Sequence, residues 1–168
     1  MTIRPAQVLA LVVAGACRSA FAAGQPPTQL EPVPVVRFRD GQLAFSTYSG
    51  LIDSVRVVVR DSTAWRRLWQ QINRPFIPSP VLPPVDFQRE MVVVAALGSR
   101  PSAGFDVVIE GAAEDTAGVE VDVRRSSPAA GCPVAAAITQ PVDLARLPAS
   151  ARTLRFRERS TVVPCVAP

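Results

Sequence analysis

Hydrophobic positions recur along this chain with two periods, and one stretch shows neither. In "DSVRVVVRD" the alternation is two-residue and puts Val55, Val57 and Val59 on one face of a strand. In "DSTAWRRLWQQIN" it changes to the helical period: Trp65, Leu68, Trp69 and Ile72 fall at i, i+3, i+4 and i+7. Arg66, Arg67, Gln70 and Gln71 lie opposite them, and Asp61 stands where a carboxylate caps the first turn. The spacing predicts an amphipathic helix that lays both tryptophans on a sheet. "EMVVVAAL" is continuously apolar, as in a central strand covered on both faces.

Further short strands follow in "FDVVIE", "VEVDV", "VAAAIT", "VDLARL" and "TLRFRER". The first two flank "GAAEDTAG" as a hairpin with a polar tip. The pattern predicts an α+β fold: one β-rich domain with antiparallel sheets of about five to seven strands and a single amphipathic helix packed on them. Asp40–Gly41 marks a weak hairpin upstream, and the five prolines between Pro75 and Pro84 mark a loop.

Composition narrows the chemistry. Hydrophobic residues make up 48% of the 168 positions and charged residues 19%, a globular balance with room for one core. The chain contains no histidine and no lysine, so all 18 basic residues are arginine. Triads built on histidine, histidine-ligated zinc, lysine Schiff bases and Ser-Lys dyads are excluded. The acids Asp106 and Glu110, and Glu120 and Asp122, share strand faces opposite apolar residues, which reads as a solvated sheet face rather than a metal or acid/base site. Arg155, Arg157 and Arg159 line one face of the last strand and are expected to pair with those acids across strands. Export and a formal charge of +4, of which Arg4 leaves with a signal peptide, argue against nucleic acid as a partner. No enzyme activity, metal or cofactor is expected.

The N-terminus sets the compartment. Arg4 precedes an apolar run from Val8 to Ala16, too short to span a bilayer and suited to a signal peptide. Two processing sites compete: "AGAC" resembles a lipobox with Cys17 as the lipidated residue, giving a signal over 1–16, and "AFA" before Ala23 fits cleavage after residue 22. Residues 17–45 then read as a proline-rich spacer with weak strand character, and 46–168 as the folded domain. An extracytoplasmic chain, lipid-anchored to the envelope or secreted, has Cys132 and Cys165 as an even pair, and a disulfide between them is expected.

Read in order, "STYSG", "VVVRDSTAWRRLW", "VDFQREMVVVAALGSRPSAGFDVVI" and "GCPVAAAITQPVDLARLP" resemble the C-terminal domain of PrcB, an accessory lipoprotein of a spirochaete surface protease complex. The most specific element is a G-x-R-P-[ST]-x-G-[YF] loop, matched by Gly98, Arg100, Pro101, Ser102, Gly104 and Phe105. The resemblance implies a non-enzymatic module that stabilises or helps mature an extracytoplasmic protease. It supplies no catalytic residue. Arg100, Ser102, Gly104 and Phe105 are the candidate binding residues; glycines and proline suit a turn, and Arg100 offers a planar fork to a carboxylate or carbonyl. The alternatives are an envelope domain that binds a sugar or another small ligand, and a small protease-inhibitor-like module.

Overall fold

A computed structural model describes residues 30–38 and 47–165. The signal segment, both processing sites, Cys17 and the Asp40–Gly41 hairpin lie outside the described residues. Among the described residues, eight strands and one helix run in the order β1 (Glu31–Pro32), β2 (Val36–Arg37), β3 (Val55–Val59), α1 (Ser62–Ile72), β4 (Glu90–Ala96), β5 (Asp106–Asp115), β6 (Gly118–Pro128), β7 (Val142–Pro148) and β8 (Leu154–Val163). They form two four-stranded sheets, β1-β5-β6-β8 and β2-β7-β4-β3. The result is the β-rich α+β domain that the periodicity predicts.

Alternation along each strand divides the apolar residues between two cores. Met91, Val93 and Ala95 of β4 face Val107, Ile109, Val121 and Val123 of the other sheet, closing the space between the sheets. Val92, Val94 and Ala96 point the opposite way, onto Trp65, Trp69 and Ile72 of α1. From Met91 onward strand β4 is apolar because each of its faces is covered. The helix starts where expected: Asp61 Oδ1 accepts from the Thr63 and Ala64 amides at 2.9 and 2.8 Å. The proline loop lies along the helix, and the two indole N–H groups donate to the Pro83 and Pro80 carbonyls, both at 3.0 Å. Buried tryptophans thus keep their one polar atom satisfied.

Four features depart from the pattern-based expectation. Strand β8 pairs with β6 in parallel, because β7 lies between them in sequence but in the other sheet, and two reversals return the chain in its original direction. "GAAEDTAG" is mostly strand: β5 continues to Asp115, and the turn is only Thr116–Ala117, closed by Asp115 Oδ1 accepting from the Ala117 and Gly118 amides at 2.7 and 3.0 Å. "VAAAIT" is not a strand; residues Val134 to Ile138 lie at the surface without a ladder, and Thr139 alone makes an isolated bridge to Arg100. Part of the predicted spacer is built into the fold, since β1 pairs with β5 and β2 with β7, so that this short segment crosses from one sheet to the other. Proline tolerates such edge positions, where its missing N–H is no loss.

The seam between the sheets is sealed at a bulge. The register of β5 shifts between Ile109 and Gly111, so Val107, Ile109 and Ala112 all face inward. There the Ile109 amide donates to Asp143 Oδ2 at 2.7 Å, and Arg37 donates to the Ile109 carbonyl while pairing with Asp143 at 3.3 Å. Burial pushes the Asp143 carboxyl above its ordinary range, against the lowering pull of the Ile109 amide, Arg37 and the Leu144 amide; nearby Asp106 adds to the rise.

Candidate functional site

Two crossings between the sheets, 97–105 and 129–141, meet at one end of the sandwich, and segment 47–54 of the β2-β7-β4-β3 sheet joins them there. Gly98, with φ of 73°, begins the middle one. A Cβ there would stand 2.7 Å from the Asp53 carbonyl carbon and the Ile52 oxygen, so only glycine lets the two loops meet, and Ser99 N–H donates to the Ile52 carbonyl at 2.9 Å. Arg100 then exchanges backbone hydrogen bonds with Thr139 at 2.8 and 3.1 Å. The Thr139 hydroxyl, fully buried, donates to the Ser102 carbonyl at 3.0 Å, and the Ala103 amide donates to the Ala135 carbonyl at 3.0 Å. The loop is thereby stitched to the 129–141 segment from both sides.

The disulfide Cys132–Cys165 ties that segment to the end of the chain, with a Cα–Cα distance of 5.2 Å, as the sequence predicts. Gly104, with φ of 88°, sits 3.3 Å, by its virtual Cβ, from Pro128 and Val134 beside the disulfide.

The four predicted binding residues lie together, with different duties. Gly104 shapes the turn. Ser102 contributes mainly its carbonyl, to Thr139, and its hydroxyl reaches only the neighbouring Ala103 carbonyl at 3.1 Å. Arg100 Nη2 donates to the Leu97 carbonyl at 2.6 Å, and its guanidinium carbon stands 5.9 Å from the centroid of the Phe105 ring. The arginine and the aromatic ring are thus mutual braces, and the arginine keeps further N–H groups. Thr139 is the residue that sequence reasoning missed. It closes a run read as a strand, and nothing local marks it as the partner of a loop nearly forty positions earlier.

Apolar side chains ring the same end. Ile52 is 69% and Ile138 65% exposed, with Val134, Val162 and Val163 also at the surface. On the outer face of the β1-β5-β6-β8 sheet, by contrast, the predicted acid–arginine pairing is present: Arg124 and Arg159 each donate to Glu110 at 2.8 Å, and Arg157 meets Asp122 at 2.6 Å and Glu120 at 3.2 Å. Burial alone would raise the Glu110 carboxyl, but the hydrogen bonds and charges of Arg124 and Arg159 outweigh it and hold it below its ordinary value. Arg155 makes no ion pair among the described residues.

These features define a class: a two-sheet sandwich with one covering helix and a disulfide-braced end of three stitched loops. Residues 91–148, from the first apolar residue of β4 to the end of β7, match the PrcB C-terminal family. The matched segment contains the Gly98–Phe105 loop, Thr139 and Cys132. No curated protein and no solved structure matches the chain.

Proposed function

We propose that this protein is a non-enzymatic accessory module of an extracytoplasmic protease complex, in which the loop end of the sandwich contacts the protease and stabilises it. The family match over residues 91–148 carries the reading, because family-level association with a protease complex is what that match implies. Three features support the surface. The loops are fixed by backbone hydrogen bonds and a disulfide, so docking them loses little conformational entropy. Ile52 and Ile138 are exposed there without an apolar cover among the described residues. Val134, Val162 and Val163 extend that exposed apolar ring, while Ile77 and Val81, more exposed still, stand apart from it in the proline loop. The protein is exported, held at the envelope by a lipid on Cys17 or released after cleavage before Ala23.

Deletion of the gene should lower the steady-state amount of one secreted protease without changing its transcript. Complementation with the wild type should restore it, and Ile52→Arg/Ile138→Arg should not. Unchanged abundance and activity of every secreted protease in the deletion strain would refute the reading.

A further inference from the structure

A small cavity of about 190 Å³ opens between the two sheets beside the loop end, with Leu97 and Phe105 as its apolar lining and Arg100, Arg125, Ser160 and Thr161 among its polar ones. None of its lining side chains is acidic. Four described arginines are half-buried: Arg56, Arg100, Arg124 and Arg146. Three of them pair with a glutamate, Arg56 with Glu158, Arg124 with Glu110 and Arg146 with Glu90. Arg100 has no such partner among the described residues. Its one side-chain hydrogen bond is to the Leu97 carbonyl, and its Nε is buried with nothing to donate to. Arg56 Nε is buried in the same way, yet Glu158 stands 2.8 Å from it; Arg100 is the one of the four half-buried charges that meets no carboxylate, and such a charge favours an incoming one.

The opposite wall is ordered. Arg125 is held by Glu158 at 3.1 Å and by the Ser160 hydroxyl at 2.9 Å. Glu158 also pairs with Arg56, so it does not cancel the Arg125 charge alone, and the mouth keeps positive charge on both walls with no carboxylate against Arg100 among the described residues. The ring of Phe105 and the Leu97 carbonyl fix the Arg100 guanidinium in one plane, which suits planar two-oxygen recognition better than a mobile surface arginine would.

We propose that this mouth is a carboxylate-binding site, in which Arg100 takes the carboxylate and Leu97 and Phe105 take a small apolar group next to it. The volume fits one residue of a peptide, not a larger ligand. A chain-terminal carboxylate and an acidic side chain share this chemistry. The site stands apart from the protease reading, since a carboxylate can occupy it whichever partner supplies one.

The test is a titration of the full chain, disulfide intact, followed through the ¹⁵N resonance of the Arg100 Nε–H. The probes are N-acetyl-Ala-Ala-Val with a free carboxylate, its C-terminal amide, and N-acetyl-Ala-Glu-Ala-amide. The free acid should shift that resonance saturably, and the Ala-Val amide should bind about tenfold more weakly or not at all. Shifts with the glutamate peptide but not with the free acid would assign the site to acidic side chains. Arg100→Lys, which keeps the charge and loses the fork, should weaken binding by about tenfold. If that variant melts early, Arg125→Gln should do the same from the other wall. Equal binding of acid and amide, or shifts that map away from Leu97, Arg100 and Phe105, would overturn the proposal.

Discussion

The two sheets solve the problem of an outer face in opposite ways. The β2-β7-β4-β3 sheet hides its outer face under α1, so Val92, Val94, Ala96 and Leu144 meet two tryptophans and lose their contact with water. The β1-β5-β6-β8 sheet leaves its outer face in solvent and covers it with Glu110, Glu120, Asp122, Arg124, Arg157 and Arg159 in cross-strand pairs. The first face stabilises the fold through burial; the second contributes solubility and register, because exposed ion pairs are individually weak. Large apolar side chains reach solvent mainly in the connections: Ile77 and Val81 in the proline loop beside α1, and Ile52 and Ile138 at the loop end. The loop end is the surface proposed above for the protease contact.

The largest effect should come from breaking the covered face. Trp69→Ala removes a side chain packed on Trp65, whose ring centroid lies 5.3 Å away, and frees the Pro80 carbonyl. A loss of about 3–5 kcal/mol in chemical denaturation is expected. Next is the disulfide, which joins positions 33 apart. Cys132→Ser/Cys165→Ser should cost about 3–4 kcal/mol by chain entropy, and the unfolded, unreduced wild type should show no free thiol from this pair. Gly98→Ala should cost about 1–3 kcal/mol, from a positive φ and a backbone that blocks the new Cβ, and melting should show it.

The smallest effect sharpens the comparison through pH. Glu110 is held below its ordinary value, so its contribution is present above the unfolded pKa of 4.5 and is lost as pH falls through the folded value. Asp143 is raised above 3.8, so its contribution is full below that value and is lost as pH rises through the folded one. Relative to Glu110→Gln, the wild type should lose stability on acidification below about pH 5. Relative to Asp143→Asn, it should gain over the same descent. Urea midpoints between pH 3 and 7 read both signs.

Much of this was legible in the chain, for physical reasons that can be named. The Trp65–Trp69 face, the Asp61 cap and the doubly covered β4 are local patterns whose period survives folding. The acid–arginine pairing follows from alternation in β6 and β8. What escaped depends on non-local geometry. The bulge at Gly111 reverses which residues face inward, so the end of β5 reads as a polar tip. The parallel β6–β8 pair requires knowing that β7 joins the other sheet. "VAAAIT" has strand composition, yet its only pairing among the described residues is the Thr139 bridge to Arg100. The loop residues Arg100, Ser102, Gly104 and Phe105 could be picked out by their punctuation, yet Thr139, Arg125 and Ser160, which stitch the loop or face it, come from distant segments with no mark of their own.

The most direct test of the loop end as the contact surface is site-specific photo-crosslinking in intact cells. A photoreactive residue replaces Ile138 at the loops in one strain and Arg66 on the exposed side of α1 in another. The account predicts one discrete crosslinked species containing a secreted protease from position 138, and none from position 66. Protease crosslinks from position 66 with none from 138 would contradict it.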